Sequence, residues 1–406
     1  MGTVAEAAGT ERMVASTSLQ EQRHQQPIPR PTWLEIDLSA LAVNIGQLRR
    51  RIGPQRLLYA VVKANAYGHG ADLIAPAALQ AGVDRLAVAA VNEAISLREA
   101  GVRAPILLLG YTPPELAETL LEYDLTVSVY EGPAALAFAE TAARVGRPLT
   151  VHLKVDTGMH RLGIDPDAAP DLCAMISETP HLNLEGIYTH FSTADESDKQ
   201  YTRKQLRRFN QLLARLTRAG CRPPIAHAAN SAATIDLPET HLDAVRCGIL
   251  LYGLSPSDEV PAPPQMRPVL SWKARIAQVR CLKAGESVSY GNTWRAPGPS
   301  TVAVIPVGYA DGFPRSPRTW KTVLIRGREL PVVGRICMDH AFVDVTELAA
   351  SGLPVTRDDE VVLIGDQHGS TISVEDAAAR LKTNNYEVAS RLMARLPRIA
   401  TQSWTS

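Results

Sequence analysis

The chain has 406 residues, of which 45% are hydrophobic, so it can form two or three domains with sizeable cores. Lys and Arg together number 42, and Asp and Glu also number 42. This balance gives no long-range attraction to nucleic acid or to an anionic membrane surface. No apolar stretch is long enough to cross a bilayer, so we expect no membrane span.

The cysteines indicate the redox environment of the protein, and the composition of the N-terminal residues indicates how ordered they are. The five cysteines are far apart and show neither a metal-ligand spacing nor an even disulfide set: Cys173, Cys221, Cys247, Cys281 and Cys337. We therefore expect no metal site and a reducing, cytoplasmic environment. Residues 1–30 are rich in Gln, Glu, Thr and Ala and lack a secretory signal, so they are expected to form a disordered arm.

Residues 31–265 alternate between short apolar runs and helical patterns. A strand at Trp33–Leu38 precedes a helix, and eight strand-and-helix units follow. Their strands are predicted at Leu57–Lys63, Arg85–Val91, Pro105–Gly110, Leu125–Tyr130, Leu149–Asp156, Leu182–Phe191, Pro224–Asn230 and Ala244–Tyr252. Buried runs without alternation are typical of a parallel sheet covered by helices, and eight such units predict a (β/α)8 TIM barrel. An open, doubly wound sheet is the alternative, although no GxGxxG turn follows the first strand.

A proline-rich stretch, Pro256–Pro268, separates this region from the rest of the chain. Beyond it, short strands alternate with glycine-marked turns, and Val374–Leu396 has the pattern of two helical pieces. Residues 266–406 are therefore predicted to form a smaller, mainly β domain.

The stretch AVVKANAYGHG contains the first candidate functional residue, Lys63. This lysine ends a buried apolar run, where desolvation lowers the pKa of an amine and makes it reactive. Tyr67 and a tight turn follow, which would suit a phosphate-bearing cofactor. The alternative is a lysine that extends from a strand end into water.

Further candidate site residues, most of them polar, follow the ends of later strands, where the active sites of such barrels lie. They are Lys154, Asp156 and Arg161; Tyr188, His190 and Asp195; His227 and Ser231; and Arg246, Gly248 and Ile249. Any one of them alone would be read as a strand cap, and Ser231 also as a helix N-cap. Together they predict a site at this end of the barrel.

At this point the sequence resembles the alanine racemase family, which uses pyridoxal phosphate. The resemblance rests on the runs VVKANAYGHG, KVDTGMHRLG, THFSTADE, HAANSAA, VRCGILLYGL, SVSYGNTW, VIPVGYADGFPR, VGRICMDH and NNYEV. It extends from about Trp33 to Arg398. It implies a barrel followed by a β domain, a homodimer whose partner completes each site, and formation of D-alanine for peptidoglycan.

The resemblance also implies a role for each site residue. Lys63 would hold the cofactor covalently, with Tyr67, Ser231, Gly248 and Ile249 at its phosphate. Arg246 would face the pyridine nitrogen, with His227 and Tyr188 behind it and His190 nearby. A salt-bridged arginine at the barrel end is the alternative for Arg246. Arg161 would hold the cofactor's phenolic oxygen and the substrate carboxylate, and Met338 would position the substrate.

Two bases are implied, one on each face of the substrate. They would be Lys63 and, from the other subunit, Tyr290, whose phenol pKa His190 and Arg161 would lower. Lys154, Tyr309 and Asp339 would support the site, and Lys154 occupies a position carbamylated in many family members. An unmodified Lys154 held by Asp156 is the alternative. Asp195, Arg315 and Arg335, together with Tyr309, would line the substrate entryway.

One position departs from the family pattern. Some members carry a tyrosine near the cofactor phosphate and the pocket wall where this chain has Ala394. This predicts either a larger pocket or a phosphate contact taken over by water, and it leaves a serine or broader small-amino-acid racemase as an alternative. A barrel-type decarboxylase is disfavoured by the cation at Arg246. A non-catalytic pyridoxal-phosphate carrier would leave the region beyond Pro268 unexplained.

Overall fold

Eight parallel strands close into a barrel in the computed structural model, which describes residues 29–401. Neighbouring strands pair in chain order, and the last pairs with the first. After a separate first strand, β1 (Thr32–Ile36), the barrel strands are β2 (Leu57–Val61), β3 (Arg85–Val88), β4 (Ile106–Leu108), β5 (Thr126–Val129), β6 (Leu149–Lys154), β7 (Leu182–Tyr188), β8 (Ile225–His227) and β9 (Ala244–Cys247). The predicted TIM barrel is confirmed.

Helices surround this barrel because each presents an apolar stripe to the strands. In the longest of them, Leu206, Phe209, Leu213 and Leu216 are buried at three- and four-residue spacing. The helices are α1 (Leu38–Ile52), α2 (Ala71–Gln80), α3 (Val91–Glu99), α4 (Ala117–Glu122), α5 (Gly132–Val145), α6 (Ala169–Glu178), α7 (Gln200–Arg218) and α8 (Ser231–Asp236).

The barrel strands end earlier than the sequence pattern predicts. The predicted strand Leu182–Phe191 ends at Tyr188, and the predicted strand Ala244–Tyr252 ends at Cys247. Beyond Cys247 the chain forms a 3-10 turn, Ile249–Tyr252, whose side chains are buried like those of a strand. Burial alone therefore does not mark where hydrogen bonding between strands stops.

The second domain is built around one large sheet, which contains most of the remaining strands. The strands are β10 (Leu270–Arg275), β11 (Gln278–Leu282), β14 (Ser300–Ile305), β15 (Thr322–Ile325), β16 (Arg328–Val333), β17 (Ala341–Asp344), β18 (Glu360–Gln367), β19 (Ser370–Ile372) and β20 (Arg398–Ala400). Two further strands, β12 (Ser287–Val288) and β13 (Trp294–Arg295), form a separate hairpin. The order in the sheet is β11-β14-β17-β16-β15-β18-β10-β1-β20, and β19 also pairs with β18. The predicted mainly β domain is confirmed.

Strand β1 belongs to this second sheet, although the sequence placed it in the barrel region, residues 31–265. Leu34 pairs with Trp272 of β10 and with Arg398 of β20. A closed barrel has no free edge, so a strand that precedes it must pair elsewhere. The predicted disordered arm lies outside the described residues except for its end, where Arg30 forms an ion pair with the buried Asp311.

The helices of the second domain bring it against the barrel. They are α9 (Pro317–Trp320), α10 (Thr346–Ala350), α11 (Val374–Leu381) and α12 (Asn385–Ser390). A Cβ atom on Gly68 would lie 2.0 Å from the carbonyl oxygen of Ala389 at the end of α12. Arg398 donates hydrogen bonds of 3.1 and 3.0 Å to the Gly68 carbonyl. The loop after β2 is thus fixed by the second domain.

None of the helices within residues 29–401 combines the length and the apolar character needed to cross a membrane. The same residues contain no group of three or more His, Cys, Asp or Glu side chains that could hold a metal ion.

Candidate active site

A cavity of about 790 Å³ opens at the C-terminal ends of the barrel strands. It brings together most of the polar residues that the sequence singled out at those ends. The sequence-predicted residues that line it are Lys63, Tyr67, Lys154, Arg161, Tyr188, His190, Asp195, Ser231, Arg246, Gly248 and Ile249. His227 lies directly beneath, fully buried and bonded to Arg246.

Lys63 follows β2 and opens onto this cavity. Burial and the nearby Arg161 lower the pKa of its amine, while Glu93 acts in the opposite direction. A lowered pKa increases the fraction of neutral amine, which is the nucleophilic and basic form. The alternative of a lysine that merely extends into water does not fit its position in the cavity lining.

The residues after Lys63 form a left-handed turn. Ala64, Asn65, Ala66 and Tyr67 have φ angles of 52°, 53°, 54° and 53°. This conformation costs roughly 1–2 kcal/mol for each residue that has a Cβ. The carboxylate of Glu93, at the start of α3, accepts hydrogen bonds from the Ala64 N–H at 2.5 Å and the Ala89 N–H at 2.8 Å. Glu93 therefore holds the turn that presents Lys63 and Tyr67, a role that the sequence did not reveal.

Tyr67, Ser231 and Gly248 form a cradle of donor groups. The Gly248 N–H donates to the Ser231 hydroxyl at 3.0 Å, and a Cβ atom on Gly248 would lie 2.6 Å from the Tyr67 hydroxyl. Burial raises the pKa of Tyr67, so its phenol remains a protonated donor. Ser231 is not the N-cap of α8, because the Asn230 side chain accepts from the Ala233 N–H at 3.0 Å. The Ser231 hydroxyl thus keeps its proton free to donate to a ligand.

Arg246 supplies a buried positive charge at the floor of the cavity. It donates to the carbonyls of Thr189 and Ala228 at 2.8 and 3.0 Å, and to His227 Nδ1 at 2.8 Å. Burial lowers the pKa of Arg246 to about 10, which still leaves it charged at neutral pH. No carboxylate of residues 29–401 forms an ion pair with it, so the alternative of a salt-bridged arginine is wrong.

Lys154 lies in the same cationic surroundings. Burial and the charges of Arg161 and Arg246 lower the pKa of its amine to about 8. Its one hydrogen bond within the described chain is to the Leu109 carbonyl, at 3.3 Å. Asp156 does not hold it, because the Asp156 side chain accepts from the backbone N–H groups of Gly158, Met159 and His160. A buried amine of this kind is suited to modification that would give it a negative charge.

A second group of predicted residues lies outside the cavity, on the β domain. The Ser289 hydroxyl donates to the Arg335 carbonyl, and the Tyr309 N–H donates to the Cys337 carbonyl at 3.1 Å. These contacts gather the predicted residues Tyr290, Tyr309, Arg315, Arg335, Met338 and Asp339 on one face. Tyr290 is 68% exposed and Met338 is 52% exposed in the single chain. These residues do not complete the cavity of their own chain.

Helix α12 contributes cavity residues that sequence reasoning missed. Asn384, Tyr386, Glu387 and Ser390 line the cavity, and the Tyr386 ring lies 5.9 Å from the Tyr67 ring. The run NNYEV contains a signal for the start of this helix, because Asn384 caps α12 by accepting from the Glu387 N–H at 2.9 Å. Ala394 is exposed and does not line the cavity, so the prediction that it widens the pocket is wrong.

Comparisons with known proteins match this architecture. The model of the alanine racemase N-terminal domain matches residues 36–256, and that of the alanine racemase C-terminal domain matches residues 269–400. An alanine racemase of Symbiobacterium thermophilum is 46% identical over 91% of this chain and 97% of its own. The solved alanine racemase of Clostridium difficile has a TM-score of 0.86 at 37% identity, covering 92% of this chain and 97% of that one.

This chain is also similar to a solved racemase structure that is named for a different amino acid. The histidine racemase of Leuconostoc mesenteroides has a TM-score of 0.85 at 30% identity, with 93% of this chain and all of that chain covered. Its identity is lower than that of the alanine racemases above, and both family models together span nearly all of residues 36–400. On this evidence of sequence and fold, the chain belongs to the alanine racemase family.

Proposed function

We propose that this protein interconverts L-alanine and D-alanine with pyridoxal phosphate as its cofactor. The observation that carries the proposal is that Lys63, the donor cradle and the Arg246 cation all face one cavity. The similarity to alanine racemases over more than nine-tenths of the chain supports the same activity. In a bacterium, the product would serve peptidoglycan synthesis.

The residues present fit pyridoxal phosphate. The Tyr67 and Ser231 hydroxyls of the cradle can donate to a phosphate, and the Gly248 N–H orients the Ser231 hydroxyl by donating to it. The absence of a side chain on Gly248 leaves the approach open. The neighbouring Ile249 N–H would add a donor. Lys63 would bind the aldehyde carbon through its amine, and Arg246 would face the ring nitrogen. Once linked to the substrate, the cofactor delocalises the electron pair left on Cα when its proton is removed.

The chain's own residues move and guide this proton. With its amine free, Lys63 would take the Cα proton on one face or return it. Arg246 is positive at neutral pH, so it would disfavour a proton on a ring nitrogen placed beside it and would favour return of the proton to Cα. Arg161 would hold the substrate carboxylate and the phenolic oxygen of the cofactor. His190, which contacts Arg246 at 3.3 Å, supports that end of the cavity.

The opposite face requires a second base, and we assign it to Tyr290 of a second copy of the chain. Tyr290 is exposed here, as are Met338 and Tyr309 beside it, so a homodimer would bring this face to the partner's cavity. Met338 would then position the substrate, and Asp339 would hold this face through its 2.7 Å ion pair with Arg395. Asp195, Arg315 and Arg335, together with Tyr309, would line the entryway between the two chains.

Two further proposals follow from single features. We propose that Lys154 carries a carbamate, because its lowered pKa favours reaction with CO2 and the resulting anion would pair with Arg161. We also propose a cytoplasmic location, since all five cysteines are free thiols. We also propose that the domain boundaries lie near residues 30 and 265.

The proposed activity is tested by incubating the purified protein, loaded with pyridoxal phosphate, with single enantiomers of alanine, serine and histidine. Chiral chromatography should show alanine racemised in both directions and fastest. Lys63→Ala should abolish the reaction, whereas Lys204→Ala, at an exposed helix position, should leave it unchanged. Faster turnover of serine would favour the broader racemase, and decarboxylated product would favour the decarboxylase. No reaction with any amino acid would contradict the proposal.

A further inference from the structure

A file of polar side chains runs through the barrel beneath Arg246. Arg246 Nη1 lies 2.8 Å from His227 Nδ1, and His227 Nε2 lies 2.9 Å from His152 Nδ1. His152 Nε2 lies 3.1 Å from a carboxylate oxygen of Glu185. Glu185 in turn accepts two hydrogen bonds, of 2.6 and 2.8 Å, from Arg85, the first residue of β3. The file thus connects the cavity floor with the opposite end of the barrel.

The direction of every hydrogen bond in this file follows from its two ends. An arginine side chain can only donate, so His227 Nδ1 must accept from Arg246. Burial lowers the pKa of both His227 and His152, so both rings are neutral and each carries a single proton. His227 must then donate through Nε2 to His152 Nδ1. His152 must donate through Nε2 to Glu185, whose carboxylate can only accept.

If both histidines carried their proton on Nδ1 instead, the contacts with Arg246 and with Glu185 would both become unfavourable. A proton on His227 Nδ1 would face the donor N–H of Arg246, and a lone pair on His152 Nε2 would face the carboxylate of Glu185. Two unfavourable contacts at fully buried histidine rings are costly, because burial keeps bulk water from relieving them. Glu185 remains ionised for this role: burial acts to raise its pKa, but the bonds from His152 and Arg85 outweigh burial and lower the pKa to about 2.

Packing fixes the rings in the planes that this pattern needs. The His227 ring lies between two tyrosine rings, 4.8 Å from Tyr188 and 5.3 Å from Tyr59. The His152 ring occupies the space beside Gly186, where an added Cβ atom would lie 2.4 Å from ring atoms. These contacts hold each ring in its plane, and the hydrogen bonds at both ring nitrogens set where each proton lies.

We propose that Glu185 is a positioning residue for Arg246. Arg85 holds Glu185 in place. Through the protons of His152 and His227, Glu185 strengthens the lone pair that His227 Nδ1 presents to the Arg246 guanidinium at the cavity floor. Glu185 does not line the cavity and does not contact the reacting atoms. The inference rests on the proposed function only for its catalytic consequence, because the proton positions are a property of the chain itself.

The test compares the holoenzyme with Glu185→Leu and Glu185→Gln, each labelled with 15N-histidine. Nuclear magnetic resonance should place the protons of both His152 and His227 on Nε2 in the unchanged protein. Glu185→Leu removes the acceptor at one end while Arg246 still donates at the other, so the Nε2–H of His152 loses its partner and polarises His227 less. The ring 15N resonances of His227, which Glu185 does not contact, should therefore shift in Glu185→Leu. Glu185→Gln keeps a carbonyl acceptor and should leave the His227 resonances close to those of the unchanged protein. If Glu185→Leu does not fold because Arg85 loses its partner, the double variant Arg85→Leu/Glu185→Leu, which removes both charges, is used in its place.

Kinetics separate positioning from a merely structural role. We expect kcat to fall about tenfold or more in Glu185→Leu with KM little changed, because a shifted Arg246 affects the reacting state more than substrate binding. Glu185→Gln should restore most of kcat, and Glu118→Leu, which breaks a surface ion pair with Arg144, should leave kcat unchanged. Unchanged His227 resonances in Glu185→Leu, or equal kcat for both Glu185 variants, would overturn the proposal. If the unchanged protein racemised nothing, the proposed function would fail, while the His227 resonances would still decide the role of Glu185.

Discussion

Gly248 lies where any side chain would collide with the Tyr67 hydroxyl, since an added Cβ atom would be 2.6 Å from it. Tyr67 is packed against Tyr252 and Tyr386, so it cannot move away without disturbing two other rings. We therefore expect Gly248→Ala to displace the Tyr67 hydroxyl from the donor cradle. The affinity for pyridoxal phosphate should fall about tenfold or more, because a misplaced donor to a phosphate costs about 1–2 kcal/mol.

Absorbance titration of the cofactor-free protein with pyridoxal phosphate measures this change. Gly298→Ala is the matched control, because its added Cβ atom meets nothing within 4 Å. Equal affinities for the two variants would mean that Tyr67 and Gly248 do not bind the phosphate.

At the scale of elements, the left-handed turn after β2 depends on a side chain from a neighbouring helix. Glu93 accepts hydrogen bonds from Ala64 on the turn and from Ala89 and Ala90 before α3. Glu93→Gln would put an amide donor against one of these N–H groups, so the unfolding free energy should fall by about 1 kcal/mol. Because the turn also presents Lys63 and Tyr67, the affinity for pyridoxal phosphate should fall as well.

Asp376→Asn provides the control for Glu93→Gln. Asp376 caps α11 in the same way, accepting from the Ser373 N–H at 2.8 Å, but it lies away from the cavity. Urea unfolding should show similar losses of stability in the two variants, with weaker cofactor binding in Glu93→Gln alone. If both variants bound the cofactor normally, the turn would not need Glu93.

The elements also show why the sequence predicted some features and not others. Lys63 at a strand end and the polar groups after later strands were predictable, because an apolar run that stops at a polar residue is a local signal. The left-handed turn was not, because of its four residues only Asn65 belongs to a type that commonly adopts that conformation. The pairing of β1 and the contact of α12 with the cavity depend on which distant surfaces meet, and no local pattern encodes this.

For the whole molecule, buried histidines predict sensitivity to mild acid. Burial lowers the pKa of His69 to about 4, and it also lowers the pKa of His152, His190, His227 and His241. An unfolded histidine binds a proton below about pH 6.5, whereas these folded ones bind it only at lower pH, so the unfolded state gains protons first as the pH falls. The unfolding free energy should therefore decrease steadily from about pH 6.5 toward pH 4.

Urea unfolding of the cofactor-free protein between pH 7.5 and pH 4.5 measures this effect. Carboxylates with lowered pKa, such as Glu185, also stabilise the fold, but their contribution is lost only as the pH falls from about 4.5 toward 2. A loss of stability that begins near pH 6.5 would therefore come from the histidines. A midpoint that stays constant down to about pH 5 would contradict their burial in the neutral form.

The arrangement of two separate groups of site residues leads to a test of assembly. Lys63 faces the cavity of its own chain, whereas Tyr290 lies on an exposed face outside that cavity. If each site takes Lys63 from one chain and Tyr290 from the other, a dimer of Lys63→Ala and Tyr290→Phe chains has one intact site and one doubly defective site. Each variant alone has none.

Coexpression of the two variants with different affinity tags should therefore restore activity. Random pairing in equal amounts makes half of the dimers mixed, and half of the sites in those dimers are intact, which gives about a quarter of the unchanged activity. Purification on both tags in sequence should raise this to about half. If Tyr290 acted on the cavity of its own chain, no pairing could rebuild a site, and the doubly purified protein would be as inactive as either variant.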